Sequence, residues 1–321
     1  MRKVPGGHSS TTRAPTISLF IICSRMRRLP IHTSANFPPL LCQEELPSWY
    51  VARSYIHRSY RPPFSSTLQA QETVPRNSAW QLLCRRSNET GNVLTHLIGG
   101  IVWLCWCRRV VHADNLAEKA DTWTYWLMVF GYAMCSMMPF ASTMAHLLHC
   151  VAPEAYRVCW SFDHIGILAL WFARALCEGY SVIGYCRFHT WVAWASVTTL
   201  TFLISGTCIV CYETIALLLP LYVFIHLPLV AAATYAGFGL WEFPNLQHGV
   251  AITLAGSICG VFGYVIKLSK LPERLFPGKL DIWFHSHQWW HILTIVGPIL
   301  CLEGGRIILK VRLQNGKASC I

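Results

Sequence analysis

From about residue 90 onward the chain alternates between long apolar runs and short polar intervals. Seven runs stand out, at residues 92–107, 124–148, 161–180, 190–211, 215–238, 249–268 and 288–309. A helix rises 1.5 Å per residue, so about 20 apolar residues cross the hydrocarbon of a bilayer. Most runs approach that length. The first is short and is expected to begin upstream, near Glu89. Pro139, Pro220, Pro228 and Pro298 lie inside runs, where a membrane helix tolerates a kink. Trp123, Trp126, Trp160, Trp241, Trp289 and Trp290 gather near run ends, like an interfacial aromatic belt. The pattern predicts an all-α membrane protein, a seven-transmembrane helix bundle. Residues 1–78 break it. They are rich in Ser, Thr, Pro and Arg, and no acidic residue precedes Glu44. A flexible basic region is expected there, with 58–63 too poor in apolar residues to pack. The bundle is expected over 79–310, with a short tail at 311–321.

Composition sharpens the class. The chain is 54% hydrophobic and 13% charged, with mean hydropathy +0.39, whereas soluble domains carry about a quarter charged residues. The net charge of +11 comes mainly from the N-terminal region and the run ends. That placement fits anionic lipid and argues against a nucleic-acid partner. Basic residues before the first run (Arg76, Arg85, Arg86) and before the seventh (Lys267, Lys270, Arg274, Lys279) share a side if seven runs cross. Arg108, Arg109, Lys119, Lys310, Arg312 and Lys317 oppose them. The balance leans towards a cytosolic N-terminus. The 15 cysteines are scattered. Cys105 with Cys107, and Cys208 with Cys211, lack a second pair at zinc-ribbon spacing. Cys150 and Cys159 flank a short loop and are near enough in sequence to pair. Most of the others read as small, reduced, buried residues.

Polar residues inside the runs are not spread evenly. Glu89, Asn92, Thr95 and His96 open the first run; Ser142, His146 and His149 close the second; Asp163 and His164 open the third; His287 and His291 open the seventh. Counting crossings puts all four groups at one membrane face. His287 and His291 are four apart and share a helix face. With His146 they make a three-imidazole set, for which His149, His164 and His285 are alternative members. Three neutral imidazoles with an open fourth position suit Zn²⁺, which lowers the pKa of a bound water to about 7 and polarises a carbonyl. Asp163 can act as a base or orient a ligand imidazole. Ser142 can orient His146, bind a carbonyl, or merely bond back to its own helix. Arg174 with Glu178, and Glu303 with Arg306, are spaced to neutralise one another inside their runs.

These residues carry a resemblance. Glu89-Thr-Gly-Asn92-Val-Leu-Thr95-His96 matches the E-x-x-N-x-x-T-H motif of the progestin and adipoQ receptor family, and Ser142-Thr-Met-Ala-His146 matches its S-x-x-x-H motif. Ser161-Phe-Asp163-His-Ile-Gly166 resembles its helix-three segment, and Ser286-His287-Gln-Trp-Trp-His291 its S-H-Q-x-x-H motif. The resemblance runs from about residue 60 to 309. It implies a seven-helix bundle with a cytosolic N-terminus and Zn²⁺ held by His146, His287 and His291, with Asp163 and Ser142 alongside. Glu89, Asn92, Thr95 and His96 carry over as a structural or tuning motif.

Three functions compete. The first is a receptor for a steroid or another lipophilic or hormone ligand, with signalling partners on its cytosolic face. It would sit in the plasma membrane, with the Golgi or another endomembrane as the alternative. The second is suggested by the family's kinship to alkaline ceramidases: a zinc-dependent hydrolase cleaving the amide of a ceramide-like lipid. There Asp163 would move the proton and Ser142 help hold the oxyanion. The third is a scaffold that zinc merely staples.

Overall fold

The computed structural model describes residues 40–62, 86–113, 120–212, 226–227, 229–235 and 243–320. Its long elements are helical: α1 (Thr90–Ala113), α2 (Thr122–Cys135), α3 (Met137–Leu148), α4 (Pro153–Gly179), α5 (Phe188–Tyr212), α6 (Pro244–Ser269) and α7 (Ser286–Asn315). Six stretches among the described residues are long and apolar enough to cross a membrane, α2 and α3 together forming one of them. The protein is a helical integral membrane bundle. Most of the fifth run lies outside the described residues; its described pieces, 226–227 and 229–235, are helical.

Helix limits depart from the runs in ways the chemistry explains. α1 starts at Thr90, as expected, but continues through Arg108 and Arg109, whose long stems can lie along apolar surface while the heads reach polar ground. The second run is divided at Ser136, whose N–H is shared between the carbonyls of Tyr132 and Ala133. Pro139 then falls in the first turn of α3, where a missing N–H costs nothing. α4 begins at Pro153, well before the third run. Asp163 is therefore not at a helix start but about 15 Å along the axis from it.

α6 and α7 pack through glycines. A Cβ on Gly256 would lie 2.5 Å from the Gly297 carbonyl oxygen, and one on Gly304 would lie 2.4 Å from that of Gly249. Close backbone approach is how membrane helices gain packing energy where lipid supplies no hydrophobic drive. The outward faces remain apolar: Leu200, Leu203, Ile204 and Val210 on α5, and Ile258, Val261, Phe262 and Val265 on α6, are all exposed. A belt of that extent suits contact with lipid.

The expected intramembrane ion pairs are present, Arg174 with Glu178 and Arg306 with Glu303. Cys150 and Cys159 are free and do not pair. The disulfide joins Cys186, just past a π-helical turn at Tyr180–Gly184, to Cys320 near the chain end. Both cysteines follow helices that start at the histidine end of the bundle, so the bond lies at the opposite end.

Residues 40–62 also correct an expectation. They fold back on the histidine end through an antiparallel bridge between Leu41 and Tyr60. Tyr50, Ile56 and Tyr60 are buried with Cys150 in a small cluster, and Arg61 is only 2% exposed. Few apolar residues suffice because two tyrosine rings supply the area and backbone groups of the bundle receive the arginine.

Candidate metal centre

His146 sits in the last turn of α3, and His287 and His291 lie one turn apart at the start of α7. The rings converge. Centroids are 5.1 Å apart for His146 and His287, 4.8 Å for His146 and His291, and 4.5 Å for His287 and His291. One ligand nitrogen from each lies within 4.8 Å of the others. The Nε2 atoms of His146 and His287 are 3.3 Å apart. Two imidazoles on one tetrahedral zinc, with bonds near 2.0–2.1 Å, place their nitrogens about 3.3–3.4 Å apart. That pair matches the spacing, and with the third nitrogen within 4.8 Å the set could hold one divalent cation.

The tautomers fit as well. Nδ1 of His146 donates to Glu89 Oε2 at 2.7 Å, which turns the Nε2 lone pair towards His287. Nδ1 of His291 lies 3.3 Å from the carbonyl oxygen of Asn92 and 3.2 Å from Thr95 Oγ1. A carbonyl only accepts, so this nitrogen carries the proton and Nε2 is left to ligate. Such outer partners fix a ligand ring and raise its basicity. Glu89 is held in turn by Asn92 Nδ2 at 2.6 Å and by Arg53 Nε at 3.3 Å. Burial alone would push its carboxyl up; Arg53 and the His146 imidazole outweigh that and hold it well below the usual carboxylate range.

The alternative imidazoles separate cleanly. His149 donates from Nδ1 to the Ala145 carbonyl at 3.1 Å and accepts from Tyr50 Oη at Nε2, 2.9 Å. Both its nitrogens are engaged outside the cage. His285 Nε2 lies 2.9 Å from Gln288 Nε2 and 3.3 Å from the Asn88 carbonyl. His164 lines the cavity described next and is not one of the three converging histidines.

A cavity of about 40 Å³ adjoins the cage, lined among others by His96, Ser142, Asp163, Lys267, His287 and His291. That volume accommodates a few waters, since one needs roughly 10–15 Å³; a steroid or a lipid needs far more. Ser142 Oγ and Asp163 Oδ1 are buried there without a hydrogen-bond partner. Ser142 therefore does not bond back to its helix. His96 stacks on His291 with centroids 3.6 Å apart and planes 21° from parallel, and neither of its ring nitrogens has a partner.

Some of this was hidden in the sequence. The resemblance gives Glu89, Asn92 and Thr95 only as a structural or tuning motif; the structure makes them the outer support of the histidines. Lys267, whose Nζ lies 5.0 Å from the Trp290 ring centroid, counted only as a topological charge. Arg53 carries no signal in the sequence, and Arg61 stands in the 58–63 stretch that is too poor in apolar residues to predict packing. Glu273 stands in the 271–281 stretch, which also resembles the family; its carboxylate accepts from the backbone N–H of Ser286 at 2.7 Å and from its hydroxyl, capping the first turn of α7.

The haemolysin-III-related family model matches residues 84–302, a span holding Glu89, Ser142, Asp163 and all three clustered histidines. The chain belongs to the haemolysin-III-related family. Its relatives carry the names that the motifs suggested. An adiponectin receptor protein of Drosophila melanogaster is 25% identical over 272 residues, 81% of this chain and 57% of its own length. Progestin and adipoQ receptor-like protein 1 of Caenorhabditis elegans is 25% identical over 296 residues, 86% of this chain and 62% of its own. Membrane progestin receptor delta of Mus musculus is 27% identical over 294 residues, 84% and 79% respectively. The chain thus spans about three fifths of the first two relatives. As a member of this family it keeps the helical membrane bundle; what those relatives bind is a separate question.

Proposed function

We propose that this protein is a seven-helix receptor of the progestin and adipoQ type, built around a zinc centre held by His146, His287 and His291. It responds to a lipophilic ligand, steroid or ceramide-like, that arrives through the bilayer. The observation that carries this reading is the convergence of three buried or half-buried imidazoles, two of them with assigned tautomers, whose ligand nitrogens lie within 4.8 Å of one another. Zinc is the metal that neutral imidazoles and an open position suit best, and when bound it supplies Lewis acidity. The N-terminus is cytosolic in this reading. The disulfide supports that orientation, because disulfides persist on the oxidising side of a membrane and Cys186–Cys320 lies at the end remote from the N-terminal segment.

A second reading, amide hydrolysis of a ceramide-like lipid whose amide alone would enter the cavity of about 40 Å³ while its chains stay in the bilayer, is favoured by one specific observation. Ser142 Oγ and Asp163 Oδ1 are buried, unpartnered and on the same small cavity as His287 and His291. Leaving such groups unpaired costs about 1–3 kcal/mol each, a cost that a purely structural zinc staple gives no reason to keep. Asp163 would accept and return a proton, and Ser142 Oγ–H would donate to the substrate carbonyl. Purified protein in nanodiscs separates the readings. Ceramide turnover in wild type that is lost in Asp163→Ala with zinc retained establishes hydrolysis. Saturable steroid or ceramide binding without turnover establishes the receptor alone. Neither binding nor turnover of these lipids would overturn the proposal.

A further inference from the structure

We propose that residues 41–61 form a clasp that holds the ligand His146 in place, with Arg53 and Arg61 as its positioning residues. The inference rests on the metal reading above and goes beyond it, since it assigns a role to a segment outside the family match at residues 84–302.

His146 is gripped twice. Its side chain is reached through Glu89: Arg53 Nε and Nη2 donate to Glu89 Oε1 and Oε2 at 3.3 and 3.4 Å, and Glu89 Oε2 accepts from His146 Nδ1 at 2.7 Å. Its backbone is reached directly: Arg61 donates from Nη2 to the His146 carbonyl and from Nη1 to that of Leu147 at 2.9 Å. The last carbonyls of a helix have no intrahelical partner, and a guanidinium there meets both that need and the helix dipole. The two arginines are themselves linked within the segment. Tyr60 Oη accepts from the Arg53 N–H at 3.0 Å, one residue before Arg61.

The segment also reaches the other ligand-bearing helix. The backbone N–H groups of His57 and Arg58 donate to the Asp281 carboxylate at 3.3 and 2.9 Å, and Lys270 Nζ donates to Ser54 Oγ at 2.9 Å. Asp281 lies in the loop that leads into His287 and His291. One short stretch of chain therefore ties together the end of α3, the start of α1 and the approach to α7, the three places from which the cage and its Glu89 support are built.

The test is zinc release from full-length, zinc-loaded protein in lipid nanodiscs to excess chelator. R53Q and R61Q should each release zinc several-fold faster, somewhat less than the roughly tenfold or more lost with a direct outer partner such as Glu89. R53K and R61K, which keep the charge, should recover part of that. A control separates positioning from general stability. Arg312 is equally buried and donates to the Ser181 and Val182 carbonyls at 2.9 and 2.8 Å, at the far end of the bundle. R312Q should lower the melting temperature and leave zinc release unchanged. Should R61Q fail to fold, R53Q carries the test, because that side chain is 19% exposed. Wild-type release rates in both arginine variants, or an equal acceleration in R312Q, would overturn the clasp and leave the metal centre standing. Wild type that binds no zinc would remove both.

Discussion

Replacing Glu89 by glutamine probes the support of the cage without touching a ligand. The carboxylate receives three groups: His146 Nδ1 at 2.7 Å, Asn92 Nδ2 at 2.6 Å and Arg53 Nε at 3.3 Å. Glutamine keeps the length and one acceptor oxygen, so Nδ1 can stay protonated and the tautomer survives. What goes is the negative charge. A hydrogen bond to a charged group contributes about 1.5–3 kcal/mol. If most of that is felt by the metal-bound form of His146, zinc affinity falls about 10- to 100-fold, the range found for outer partners. Glu89→Ala should cost more, since it leaves both Arg53 and His146 Nδ1 without their acceptor. The assay is competition with a chromophoric chelator in nanodiscs, with a melt recorded alongside. Wild-type affinity in both variants would mean that Glu89 is packing and nothing more, and that His146 owes it no support.

Three other outcomes follow from separate parts of the molecule. Gly256→Ala puts a methyl 2.5 Å from the Gly297 oxygen; overpacking of this kind costs about 1–3 kcal/mol, and an unchanged melting temperature would show that α6 and α7 are not packed so closely. Burial brings the His149 imidazole down to about 3 against an upward pull from Glu89. The folded chain then binds fewer protons than the unfolded one between about 6.5 and that value, so stability should fall as pH drops through this window, by up to about 1.4 kcal/mol per unit. It should be level above it, and His149→Gln should flatten the slope in a melt-against-pH series; an unaltered slope contradicts the assignment. In Cys320→Ser, the freed Cys186 should react with an impermeant maleimide from the non-cytosolic side, whereas labelling from the cytosolic side reverses the proposed orientation.

The sequence disclosed the parts of this structure whose chemistry is periodic. Apolar runs located the crossings because bilayer thickness sets their length. Counting crossings then brought His146 to the level of His287 and His291, although 141 residues separate it from the nearer one. What stayed hidden depends on contacts between elements with no shared period. Arg61 lies in an Arg-Pro-Pro stretch that reads as linker, and only the fold brings it to the end of α3. The Cys186–Cys320 bond joins residues 134 apart in sequence, and nothing in spacing marks either one among 15 cysteines. Asp163 was assigned to the right face but the wrong position in its helix, because α4 continues past its apolar part to Pro153. His149, three residues from His146, was excluded only by seeing both its ring nitrogens engaged.

Whether His146, His287 and His291 share one zinc ion is read from elemental analysis of the purified protein. About one zinc per chain is expected in wild type, with loss in each of His146→Ala, His287→Ala and His291→Ala and retention in His149→Ala. Wild type purified without stoichiometric metal and unable to take up zinc on reconstitution, or any of the three ligand variants holding zinc as tightly as wild type, would contradict it.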